Sequence, residues 1–296
     1  METRSKSLGG VYAAVTNPRD EEDHLDGCAL GRILRFLTDS GIRGFACNGA
    51  TGEYCLNSVA DLAYMLETAG KWLPADSRIL CGIGAADLRG ALENGRVAVA
   101  GGARAVLLPM PHFFPYEQHD LRAFCLEVAE HLPIDILLYN LPQFTSGLTV
   151  ATVCDLVREC PRIKGIKDSS GSLDVLRTLT RDLPDAVRLV GNDGALPEAL
   201  QEGVCDGVVS GVAGVWPELI LPLFAEGGAR NAEAIRTLRA FIEKLDTVPV
   251  PWGLKWIAES RGLATARFSL PLSELRVSQG NQLREWFRSV QAQGAA

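Results

Sequence analysis

One pattern limits the fold of this chain more than any other: a short apolar run followed by a helical stretch, repeated eight times. The runs are Val11–Val15, Gly44–Cys47, Ile79–Ile83, Ala105–Leu108, Ile134–Tyr139, Ile163–Lys167, Val187–Val190 and Gly207–Ser210. Helical patterns follow at about 24–40, 59–72, 88–100, 117–131, 150–159, 173–183, 196–202 and 217–226. In the first of these, Leu30, Ile33, Leu34 and Leu37 share one face and Gly41 ends the run. Ser58 with Asp61 has the spacing of a helix cap ahead of Val59. The strand runs are apolar without alternation, as required of parallel strands covered on both faces. Parallel neighbours need a crossover, and a helix supplies it. Eight such units in roughly 220 residues is the count and length of an α/β protein of the (β/α)8 TIM-barrel type. The barrel is expected over residues 1–228. After Gly227-Gly228 only helical patterns remain, near 231–247, 253–261 and 273–293, so residues 229–296 are expected to form a C-terminal three-helix appendage.

Such barrels place their chemistry at the C-terminal ends of the strands. Four stretches are thereby brought to one mouth: Gly49-Ala50-Thr51-Gly52-Glu53, Tyr139, Lys167 and Gly191-Asn192-Asp193. In the sixth strand, side-chain alternation puts Gly165 and Lys167 on one face and Lys164 and Ile166 on the other. An amine ending an interior strand is partly desolvated. Its ammonium form is then disfavoured, and the free amine can form a Schiff base with a carbonyl. The plainer reading is a lysine snorkelling into water. A tyrosine at the end of the neighbouring strand turns the balance toward catalysis, because it supplies a proton donor and acceptor beside the amine.

Other classes are disfavoured. The net charge is -7 with Lys and Arg scattered, so neither nucleic acid nor an anionic membrane surface is an expected partner. The eight cysteines include no Cys-x-x-Cys and the four histidines are well separated, which argues against a metal site. A disulfide framework is improbable in a chain of this size. Met1–Gly10 is polar, with no apolar segment of a secretion signal, and no run reaches membrane-spanning length. A reducing cytoplasm is the expected location.

The Gly-Ala-Thr-Gly-Glu loop, Leu138-Tyr139-Asn140-Leu141-Pro142, Lys164-Gly165-Ile166-Lys167-Asp168 and the 249–262 helix stand in an order that resembles one family over nearly the whole chain. It is the dihydrodipicolinate synthase / N-acetylneuraminate lyase superfamily of pyruvate-dependent class I aldolases. The resemblance implies a barrel with three C-terminal helices, a homotetramer built as a dimer of dimers, and no metal or organic cofactor. It implies Lys167 as the Schiff-base lysine and Tyr139 as the proton shuttle. Ala50, Thr51 and Gly52 match the loop that receives a 2-oxo acid carboxylate, with Glu53 bracing it. Asn192, Asp193, Ser210 and Gly211 match positions that contact the rest of the substrate, although Asp193 could instead cap the following helix.

The departures are as informative. Ala50 stands where the family usually has a hydroxyl that orients the tyrosine. His112-Phe113 replaces a tyrosine pair, one member of which serves the neighbouring subunit's relay; Phe113 cannot relay a proton, and His112 could take its place. Gln143-Phe144-Thr145 replaces the arginine segment of the synthase branch, and Phe144 cannot bind a carboxylate. The expected function is therefore a lyase cleaving or forming a carbon–carbon bond beside a pyruvate unit. Its partner would be an aldehyde or sugar acid, on a 2-keto-3-deoxy sugar acid or related hydroxy-2-oxo acid. The alternatives are a dehydratase, with or without decarboxylation, using the same lysine; dihydrodipicolinate synthase proper; and a non-catalytic 2-oxo-acid-binding paralogue.

Overall fold

The structure, a computed structural model, describes residues 8–294. Part of the polar N-terminal segment, residues 1–7, lies outside the described residues. Eight parallel strands close into a barrel in sequence order: β1 (Gly10–Ala14), β2 (Gly44–Cys47), β3 (Arg78–Gly82), β4 (Ala105–Pro109), β5 (Ile136–Asn140), β6 (Ile163–Asp168), β7 (Val187–Val190) and β8 (Gly207–Ser210). The α/β barrel is thus a (β/α)8 TIM barrel, closed by β1 against β8 with Tyr12 opposite Val209. Helices α1 (Gly27–Asp39), α2 (Val59–Trp72), α3 (Leu88–Ala100), α4 (Gln118–His131), α5 (Val150–Glu159), α6 (Asp174–Asp182), α7 (Leu196–Glu202) and α8 (Pro217–Ile220) follow the strands in turn.

Two packed regions result from the strand alternation. Inside the barrel, Tyr12, Ala14, Ala46, Leu80, Leu107, Leu137, Leu189 and Val209 fill the interior. Outside it, residues such as Phe45, Leu108, Leu138 and Ile166 meet the buried faces of the helices, including Leu30, Ile33, Leu34 and Leu37 of α1. Ser58 and Asp61 form the reciprocal cap of α2. α8 is shorter than its sequence pattern and passes into a 3-10 turn at Leu221–Phe224. Pro222 accounts for this, since it lacks the N–H that an α-helix would need there.

Three further helices follow: α9 (Ala232–Leu245), α10 (Trp252–Ser260) and α11 (Glu274–Gly294). α10 is buried from Trp252 to Ala258, on all sides, so it runs through the interior of the C-terminal layer. Trp216, just before α8, packs edge-on against Phe241 of α9 and Phe287 of α11, with centroids 5.3 and 5.0 Å away. The appendage therefore shares an apolar core with the barrel's outer layer. No helix among the described residues is long and apolar enough to cross a membrane.

Candidate active site

The register between β5 and β6 pairs Tyr139 with Lys167 and Asn140 with Asp168. Paired residues of parallel neighbours face the same way, so Tyr139 and Lys167 both point into the barrel while Asn140 and Asp168 point out. The Lys167 amine lies 3.8 Å above the centre of the Tyr139 ring. Lys167 is only 4% exposed. Burial lowers its pKa to about 7, against a smaller opposing pull from the Asp193 carboxylate. A large share of the amine is then unprotonated at neutral pH, which is the nucleophilic form. Gly191 makes room for this side chain: a Cβ there would sit 2.8 Å from Lys167 Cε and would collide with Ser169 Oγ.

Tyr139 is buried as well, and burial raises its pKa above the usual phenol value. Two smaller influences oppose the shift, one from the Ser169 side chain and one from the Ala50 backbone; Ser169 Oγ is buried beside them and makes no hydrogen bond of its own among the described residues. Only a donor favours the phenolate, so the Ala50 contact is its N–H. Ser169 and the Ala50 main-chain amide are the donors that stand nearest to the role of the hydroxyl missing from the Ala50 side chain. Ser169 is buried and lies two residues beyond Lys167, on the same parity as Gly165 and Lys167. That alternation was the available signal for it.

The loop after β2 holds Thr51 toward the cavity through a network of buried polar groups. Asn48, at φ +54°, donates from Nδ2 to Gly82 O. Asn57 Nδ2 donates to Asn48 Oδ1 and to Gly52 O, and Asn17 Nδ2 donates to Gly52 O as well. Glu53, at φ +52°, forms a buried ion pair with Lys255 of α10, whose amine also donates to Arg267 O. The pair ties the loop to the C-terminal layer. Lys255→Met leaves the Glu53 carboxylate buried without its cation, which costs about 3–5 kcal/mol. A thermal melt should fall by about 10 °C, and Glu53→Gln added to Lys255→Met should recover much of it. Equal melts for the single and double variants would show that the pair does not hold the loop.

Asp193 does not cap α7; its Oδ2 accepts from Val212 N, beyond β8. Burial raises its pKa, while Ser210, the Val212 amide and Lys167 pull the other way. A cavity of about 310 Å³ opens over the barrel mouth, bounded by Ala50, Thr51, Tyr139, Lys167, Ser169, Asn192, Asp193 and Gly211 on its inner side. Gly52 and Ser210 stand behind this wall: the Gly52 carbonyl is taken by Asn17 and Asn57, and Ser210 Oγ accepts from Ala213 N. Phe144 is at the rim. Neither His112 nor Phe113 is among the lining residues. The His112 ring packs edge-on against Tyr54 at 5.9 Å, and Phe113 is 84% exposed. The outer wall comes from residues of α9, α10 and the segment between them, which the sequence reading did not assign to the site.

A desolvated amine, a buried phenol beside it and an anion-receiving loop across the mouth can together condense with a 2-oxo acid and move a proton at the adjoining carbon. Comparison with known proteins agrees with this chemistry. A 4-hydroxy-tetrahydrodipicolinate synthase of Sorangium cellulosum is 27% identical over 98% of this chain and 98% of its own length. An N-acetylneuraminate lyase of Rhizobium meliloti is 25% identical over 83% and 82%. The crystal structure of the dihydrodipicolinate synthase from Aquifex aeolicus superposes with a TM-score of 0.86 at 25% identity, covering 96% of this chain and 98% of that one. The dihydrodipicolinate synthetase family matches residues 7–289, and the chain belongs to that family of Schiff-base lyases.

Proposed function

We propose that the chain is an aldolase that cleaves or forms the carbon–carbon bond next to a pyruvate unit of a hydroxy-2-oxo acid. The buried amine of Lys167, held 3.8 Å over the Tyr139 ring, carries this reading. The amine adds to the C2 carbonyl and water leaves, giving a protonated imine. In cleavage, the C4 hydroxyl loses its proton and the C3–C4 bond breaks. Its electron pair is taken into the imine as an enamine, and the aldehyde departs. Protonation at C3 and hydrolysis of the imine then release pyruvate. Tyr139 is the proton carrier at the C4 oxygen. Its raised pKa keeps it a donor in the condensation direction; the iminium charge beside its ring lowers that pKa when a base is needed for cleavage. Thr51 and the loop amides receive the carboxylate, with Gly52 shaping the turn from behind.

Within this class the cavity favours related hydroxy-2-oxo acids over 2-keto-3-deoxy sugar acids, because the outer wall is mainly apolar. Synthase activity on a carboxylate-bearing aldehyde is disfavoured, since among the described residues Lys167 is the only cation lining the cavity. A dehydratase is the second reading. Asp193, with a raised pKa and close enough to act on Lys167, could protonate a departing hydroxyl. A homotetramer fits the exposed Phe113 and Phe114 beside the mouth, and His112 and Phe113 would then act only at a subunit contact. Eight free thiols fit a reducing cytoplasm.

The test is borohydride trapping with pyruvate, read by intact mass and peptide mapping. An adduct on Lys167 is expected. Its rate of formation should rise with pH through about 7 and then level, because the neutral amine is the attacking species and its fraction grows as the proton is lost. No adduct, or one on another lysine, would overturn the proposal. A rate still climbing toward pH 10 would show an amine that is not desolvated. Assay for released pyruvate against released water separates the aldolase from the dehydratase.

A further inference from the structure

The cavity has two chemically different halves. The inner half carries the polar groups already described. The outer half is formed mainly by Phe144, Ile242, Leu245, Pro249, Val250 and Leu254, with Asp246 as its charged member. Three of its members are fixed in place from behind. Leu254 is 6% exposed and is held within α10, and Ile242 and Leu245 project from the last turns of α9. Leu254 also reaches the floor, where its Cδ1 stands 3.0 Å from the position of a Cβ on Gly211. The charged residues lining the whole cavity are Lys167, Asp193 and Asp246. Lys167 is consumed by the imine, and the two aspartates repel an anion.

From this division we infer that the aldehyde half of the substrate is uncharged and apolar, an alkyl or aromatic aldehyde. This rests on the Schiff-base reading above and gives its second substrate a chemical class. In the condensation direction the enamine carbon of the pyruvate unit attacks the aldehyde carbon. The carbonyl π pair becomes an alkoxide, which takes the Tyr139 proton, and water releases the 4-hydroxy-2-oxo acid from Lys167. The apolar substituent of that aldehyde is left facing Phe144 and Leu254, where its removal from water favours binding. A carboxylate placed there would lose its hydration with no cation to replace it. A polyol would lose hydrogen bonds to water that, apart from Gln143 and Asp246, the outer lining cannot return.

The experiment supplies pyruvate with butanal, benzaldehyde, D-glyceraldehyde or succinic semialdehyde, and measures kcat/KM by mass detection of the 4-hydroxy-2-oxo acid. Borohydride trapping with pyruvate is run beside it. At least about a tenfold preference is expected for butanal or benzaldehyde over both polar aldehydes. Phe144→Arg should shift the ratio of succinic semialdehyde to butanal turnover at least about tenfold toward the anion. A wild-type preference for glyceraldehyde or succinic semialdehyde overturns the inference, as does failure of all four while the Lys167 adduct forms. Absence of the adduct overturns the Schiff-base reading itself, and this inference with it.

Discussion

Lys167→Met removes turnover and makes the protein more stable. Loss of the nucleophile should lower kcat at least about 10⁴-fold, since among the described residues no other lysine lines the cavity to form the imine. The gain in stability has the same cause. The amine ionises at about 7 in the folded chain and at 10.5 when free in water, so folding holds it in surroundings that reject its charge. Replacing it by an uncharged side chain of similar length should stabilise the fold at neutral pH by roughly 4–5 kcal/mol at most. That corresponds to a melting temperature higher by up to about 10–15 °C. The pH dependence follows in sign. Between about 7 and 10.5 the unfolded chain binds the proton that the folded chain has released, so wild-type stability rises with pH across that window. The gap between variant and wild type should be full below about pH 7 and close toward 10.5. Paired melts at pH 6, 8 and 10 measure it. A variant no more stable than wild type, or a gap that ignores pH, would mean that the amine is not held at a cost.

The same residue shows what was readable in the chain. The barrel could be inferred because each strand is an unbroken apolar run and each helix carries its own apolar stripe, signals that are local in sequence. Lys167 and Tyr139 followed from the strand ends, since parity and order alone bring them together. Ser169 is different. It lies in an Asp-Ser-Ser-Gly turn whose composition suggests capping, and its place near Tyr139 depends on the space left by Gly191, just beyond the next strand. Lys255 could not be matched to Glu53 from sequence, because nothing local to α10 says which buried carboxylate it meets. The outer wall was missed for a similar reason. Ile242, Leu245 and Leu254 have the spacing of ordinary helix core, and only the way α9 and α10 lie across the barrel mouth turns them toward the cavity.

Tyr139→Phe should separate the two halves of the reaction. The ring stays in place under the Lys167 amine, so imine formation with pyruvate should change by less than about tenfold, whereas kcat for carbon–carbon cleavage should fall by about 10²–10⁴. Rapid borohydride quenching gives the first rate and steady-state pyruvate release the second. Ser169→Ala provides the companion measurement. If Ser169 acts by holding the Tyr139 hydroxyl, its loss should lower kcat less than Tyr139→Phe does, because the Ala50 amide remains. Adding it to Tyr139→Phe should then cost almost nothing more, as the group it positions is already gone. Additive losses in the double variant would place Ser169 in direct contact with substrate. Equal loss of imine formation and cleavage in Tyr139→Phe would remove the tyrosine from proton transfer altogether. The expected non-additivity has a structural basis: β5 and β6 pair Tyr139 with Lys167, and the alternation that points Lys167 inward puts the buried Ser169 hydroxyl, which has no other hydrogen-bond partner among the described residues, on the same side.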